Sequence, residues 1–160
     1  MKGYTPDEKY GNRLLISNSS DQSELEDNKR GAYAILESFP DTKICIRTHV
    51  IEHLHKKPEY LINGLVSDRK GVHSPKGISD GFKKAKEQKC ESVVIDFDMH
   101  LGGKPLSVGQ IAKYIDWRRA VFENDIIKEC YVVYKNRAVV INKSHSNRDM
   151  ITAELEKLKQ

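Results

Sequence analysis

Cysteine is scarce in this chain. Cys45, Cys90 and Cys130 are the whole complement among 160 residues, and no two stand in a C-x-x-C spacing. An odd, scattered set excludes a disulfide framework and a zinc ribbon, and it points to a reduced compartment. Long apolar runs are also missing. None approaches the roughly 20 residues that a membrane-spanning helix needs, so no membrane segment is expected. The opening Met1-Lys2-Gly3-Tyr4 has no apolar stretch of signal-peptide type, and no export signal is expected. No internal repeat is visible. What remains is 38% apolar and 31% charged residues, a soluble globular composition that can bury a core without disulfide or metal staples.

Charge is unevenly placed. The formal net charge is +4. Residues 53–90 hold nine basic side chains (Lys56, Lys57, Arg69, Lys70, Lys76, Lys83, Lys84, Lys86 and Lys89) against four acids (Glu59, Asp68, Asp80 and Glu87). A basic stretch set in a near-neutral chain is a footprint for a polyanion such as nucleic acid.

Periodicity divides the chain into an irregular N-terminal segment over 1–22, a tail or pairing arm, and a single domain over 23–160. Gly3, Pro6, Gly11 and Ser17-Asn18-Ser19-Ser20 break any packing period in the arm. Ser23 and Glu26 form a capping box for a helix to Phe39. Ile44, Ile46, Thr48 and Val50 alternate as on a half-buried strand. Tyr60-Leu61-Ile62 and Leu65-Val66 flank Asn63-Gly64, the strongest short hairpin signal, because a type I′ turn needs positive φ at both central residues. A helix over 78–89 follows, then a strand, Ser92-Val93-Val94-Ile95-Asp96-Phe97, apolar enough to be buried on both faces. Ser107 and Gln110 cap a helix to about Glu123. A second hairpin turns at Asn136-Arg137, and an amphipathic helix covers about 147–159. The fold class is α/β, with a mixed central sheet flanked by helices.

The first hairpin permits a geometric deduction. With Asn63 and Gly64 in the turn, Ile62 pairs with Leu65, and the same register sets Glu59 opposite Asp68. Directly opposed Cβ atoms lie about 4.5–5.5 Å apart on one face. Lys70 points to the same side, two residues after Asp68. Opposed carboxylates repel, and a divalent cation offsets them more fully than one lysine does. Hard oxygen ligands suit Mg²⁺ or Mn²⁺. His49, His53 and His55 lie in a basic connector and read as polar residues rather than zinc ligands, and the three cysteines read as buried thiols.

Pro58-Glu59 and, nine positions on, Asp68-Arg69-Lys70 resemble the signature of the PD-(D/E)xK nucleases, whose core runs helix, three-strand meander, helix, strand. A wider stretch is similar to the C-terminal tRNA-nuclease domain of contact-dependent growth-inhibition toxins and its phage and mobile-element relatives. It comprises Pro58 to Gly64, Asp68-x-Lys70, Ser74-Pro75, Ile78, Phe82, Ala85, Gln88 and Val93 to Asp96. The likeness covers about residues 24–142 and is best over 58–97. One departure is Glu59, where the family usually has Asp.

The resemblance implies a metal-dependent endonuclease of restriction-endonuclease-like fold. Glu59 and Asp68, with the backbone carbonyl of Arg69, would hold Mg²⁺ or Mn²⁺. Lys70 would orient or deprotonate the attacking water. Glu26 on the first helix, with Glu24 second, would add an acid, and Gln88 a polar group from the second helix. Lys56, Lys57, His73, Lys76, Lys83 and Lys84 would contact the phosphate backbone. The implied substrate is tRNA, the site of action cytoplasmic after delivery as part of a toxin, and the partner a small immunity protein. A DNA endonuclease of a phage or mobile element and a non-catalytic nucleic-acid-binding module are the alternatives.

Overall fold

The computed structural model describes residues 2–19, 22–47, 58–97 and 105–159, with the backbone of 51–52 and 55–56. Ten strands and five α-helices alternate among these residues. They are β1 (Tyr4–Asp7), β2 (Gly11–Ser17), α1 (Gln22–Ser38), β3 (Ile44–Ile46), β4 (Ile51–Glu52), β5 (His55–Lys56), β6 (Tyr60–Ile62), β7 (Leu65–Gly71), α2 (Gly77–Glu87), β8 (Ser92–Asp96), α3 (Val108–Asp116), α4 (Arg119–Glu123), β9 (Glu129–Tyr134), β10 (Arg137–Ile141) and α5 (Arg148–Glu156), which ends in a 3-10 turn over Lys157–Lys159. Eight strands form one mixed sheet in the order β1-β2-β3-β6-β7-β8-β9-β10, and β4 with β5 makes a separate ribbon. The fold is mixed α/β.

The sheet is buried on both sides. Phe82 and Ala85 of α2, Ile111 and Ile115 of α3 and Leu155 of α5 pack with Val93, Ile95 and Val132 on one face. Ala32, Ile35 and Leu36 of α1 pack with Ile44, Ile62, Val94 and Val133 on the other. All five residues of β8 are buried, as its unbroken Val93-Val94-Ile95 run requires. The β6–β7 turn falls at Asn63 and Gly64, with φ of 49° and 84°. Asn63 also bonds across to the residue before β3, its Oδ1 accepting from the Lys43 amide at 2.9 Å.

Four expectations change. The N-terminal segment is a pairing arm rather than a tail, and it is regular, a hairpin of β1 and β2. Leu14, Leu15 and Ile16 pair in parallel with Ile44, Cys45 and Ile46 of β3. Its turn is held by Asp7, whose carboxylate accepts from the Lys9 and Tyr10 amides and from the Tyr33 hydroxyl. Pro6 is tolerated because β1 is an edge strand. Arg13 then caps the far end of α1, donating to the carbonyls of Leu36, Phe39 and Thr42. α1 begins at Gln22, which places Ser23 inside the first turn instead of at its cap. The helix expected over 107–123 breaks after Asp116 into α3 and α4, which lets Phe122 meet Phe82 edge-on at 5.8 Å; Ser107 makes no side-chain cap bond. The second hairpin turns at Lys135 and Asn136, φ 48° and 61°, one residue early. Asparagine accepts the left-handed conformation at either central position, so the local sequence allowed both turns.

Candidate functional site

The site grows from the β6–β7 hairpin. Tyr60, Leu61 and Ile62 pair with Ser67, Val66 and Leu65, the register deduced from the turn. Continued by one residue, it sets Glu59 against Asp68. Glu59 Oε2 accepts from the Arg69 amide at 2.9 Å, and the two carboxyls hydrogen-bond each other. Such a bond requires a proton. Burial, then the charge of Asp68, pushes Glu59 up to about 9. Burial also raises Asp68, although the bond from Glu59 and the charges of Lys84 and Lys70 work against it. At neutral pH the pair therefore keeps one proton, shared between the two carboxyls.

Lys70 projects to the same face and meets α2. The close approach depends on Gly81. A Cβ there would lie 3.4 Å from Lys70 Cβ and Cγ and 2.9 Å from Ile95 Cδ1. Lys84, one turn on, brings its amine to that of Lys70. The contact with Lys84 first, then burial, lowers the proton affinity of Lys70, while Asp80 and Asp68 raise it. Gln88 follows Lys84 by four residues and so lies on the same side of the helix; its Oε1 is buried with no hydrogen-bond partner among the described residues.

The opposite face of the hairpin locks α1. Tyr60 is fully buried, and its hydroxyl donates to the Asn28 carbonyl at 2.6 Å. Gly31 leaves room for that hydroxyl, which a Cβ would approach to 2.9 Å. Arg69 Nε and Arg30 both donate to Asp96 Oδ2, at 3.0 and 2.5 Å, and Asp96 is fully buried. This network ties α1 to β7 and β8. The first turn of α1 then lies close enough for the charge of Glu24 to act on Asp68.

Glu59, Asp68, Lys70 and Lys84 are thus brought together. Glu26, the first choice on α1, is exposed, and its place near the dyad is taken by Glu24. Arg69 meets the dyad through its amide, and its side chain turns to the other face. His73, Lys76 and Lys83 are exposed on the segment leading into α2 and on α2 itself. Lys57, His49 and His53 lie outside the described residues, as does the side chain of Lys56. Cys90 is buried, and burial together with the charges of Asp68 and Glu59 pushes its thiol up to about 12, which leaves it inert.

Among the described residues the acids gather as a pair, with no cluster of three or more His, Cys, Asp or Glu side chains. Two adjacent carboxylates nevertheless suit a hard cation that keeps several waters, and the shared proton marks where positive charge is wanted. Lys84 was expected as a contact to the phosphate backbone together with Lys83; its approach to Lys70 was not legible in sequence.

No protein-family model, curated protein or solved structure matches this chain. Among the described residues no helix is long and apolar enough to cross a membrane.

Proposed function

We propose that this protein is a metal-dependent nuclease of PD-(D/E)xK type, with tRNA as its leading substrate. The observation that carries the reading is the hydrogen-bonded Glu59–Asp68 pair with Lys70 on the same face of one hairpin. The order α1, the β3–β6–β7 meander, α2 and β8 supports it, being the order of that superfamily's core. So does the basic stretch around the site, since juxtaposed acids in a purely binding surface would repel phosphate.

Glu59 and Asp68 would hold Mg²⁺ or Mn²⁺, which when bound supplies Lewis-acid polarisation of the phosphate. The residues of the chain do the rest. Lys70, as the ammonium, orients the attacking water and offsets the charge that develops on the phosphate, while the proton of the water passes to solvent. The water oxygen bonds to phosphorus, the bond from phosphorus to the leaving sugar oxygen breaks, and that oxygen takes up a proton from solvent. Glu24, whose charge reaches Asp68, and Gln88 would help to orient the water. In a toxin setting, a small immunity protein would cover this face.

The test is cleavage of total tRNA and of plasmid DNA by the full chain, with Mg²⁺ or with EDTA, beside Lys70→Ala. Metal-dependent loss of tRNA that Lys70→Ala abolishes is the expected result. Cutting of DNA instead transfers the assignment to a mobile-element endonuclease. Equal nucleic-acid binding by both proteins with no cutting refutes the enzyme.

A further inference from the structure

α2 carries a second amine into the site. Because Gly81 has no side chain, the helix lies directly on the stem of Lys70. Lys84 stands one turn further along the same side. Its amine meets that of Lys70, and its charge reaches Asp68. Lys84 is also exposed, so the junction of the two amines opens to solvent.

Two ammonium groups from different elements repel, and an anion between them relieves that repulsion. Asp80 supplies part of this, four residues before Lys84 and close enough to act on Lys70. Asp68 faces the same junction, but in the proposed reaction its oxygens are committed to the cation. The charge left over is positive, and it sits beside the point where a phosphate would meet the dyad. A lysine that merely solvates a helix has no reason to converge on another amine.

We infer that Lys84 and Lys70 form a two-amine clamp on the non-bridging oxygens of a phosphate group, which makes Lys84 a substrate-positioning residue. The inference rests on the nuclease reading for its place in a reaction, but its ligand chemistry is testable without any turnover. Each amine donates along its N–H bonds, one from the strand side and one from the helix side. Arginine retains the charge and the donors at position 84, whereas methionine keeps the stem and removes both.

Inorganic phosphate is titrated at fixed ionic strength into wild type, Lys84→Met, Lys84→Arg and Lys143→Met, with Mg²⁺ and with EDTA. Binding is followed through the NMR signals of the lysine side chains and through the melting temperature, which also reports folding of each variant. Lys143 is an exposed lysine paired with Asp125, away from the site, and serves as a charge-matched control. Saturable binding is expected in wild type, weakened about tenfold or more by Lys84→Met, largely kept by Lys84→Arg and unchanged by Lys143→Met. In the cleavage assay Lys84→Met should raise KM more than it lowers kcat. The salt dependence of substrate binding should become shallower by about 0.7–0.9 in the log–log slope, one phosphate contact. Equal phosphate binding by wild type and Lys84→Met, or none by either, overturns the clamp. Phosphate binding that Lys84→Met removes, in a protein that cuts no nucleic acid, keeps the clamp and removes the nuclease. Cleavage that Lys84→Met leaves untouched does the reverse.

Discussion

Glu59→Gln should make the metal-free protein more stable. In the wild type, burial and Asp68 raise Glu59 from 4.5 to about 9. Between those values the folded chain binds more protons than the unfolded chain. The slope of stability with pH is therefore negative: the stability is complete below pH 4.5 and is lost as pH rises toward 9. Each unit is worth about 1.4 kcal/mol, so holding this carboxyl protonated costs about 3 kcal/mol at pH 7. Glutamine removes that cost while keeping the contacts. Its Oε1 accepts from the Arg69 amide as Glu59 Oε2 does, and its amide donates to Asp68 in place of the shared proton. The expected gain in EDTA is up to about 3 kcal/mol at pH 7 and vanishes near pH 4. For a domain of this size it corresponds to a rise in Tm of about 6–12 °C. Urea denaturation of both proteins at pH 4, 7 and 8.5 measures it. Mg²⁺ should stabilise wild type more than the variant. A variant equal to or weaker than wild type at pH 7, or a gain independent of pH, refutes the reasoning that Glu59 and Asp68 share a buried proton.

Asp96→Asn should destabilise the fold by about 3–5 kcal/mol, because it leaves the guanidinium groups of Arg30 and Arg69 without their common buried carboxylate; the denaturation midpoint reads the loss. Gly81→Ala should cost about 1–3 kcal/mol through overpacking against Ile95 and Lys70, and it should lower cleavage further than the lost stability explains, since it lifts α2 and Lys84 from Lys70. Unchanged cleavage at full folding would contradict the placement of α2.

Where a feature depends on neighbours in the chain, it is legible from the sequence alone. Asn63-Gly64 allows positive φ at two successive positions, so it set the turn, and the turn set the register that brings Glu59 to Asp68 and Lys70 to their side. The apolar run Val93-Val94-Ile95 announced a strand covered on both faces. Features that depend on distant partners were not legible. The N-terminal segment reads as irregular because Gly3, Pro6 and Gly11 interrupt it, yet Leu14 to Ile16 find β3 and become the sheet's extension. Glu24 and Glu26 are equivalent as letters, and the angle at which Asp96 and Arg69 hold α1 selects Glu24. Lys83 and Lys84 are likewise adjacent in a basic run; the packing of Gly81 on Lys70 sends one amine to the site and leaves the other in solvent. A hairpin's geometry is written in a handful of consecutive residues. The rotation of a helix about its own axis is settled only by what it packs against, and that rotation decides which of its charges reach the chemistry.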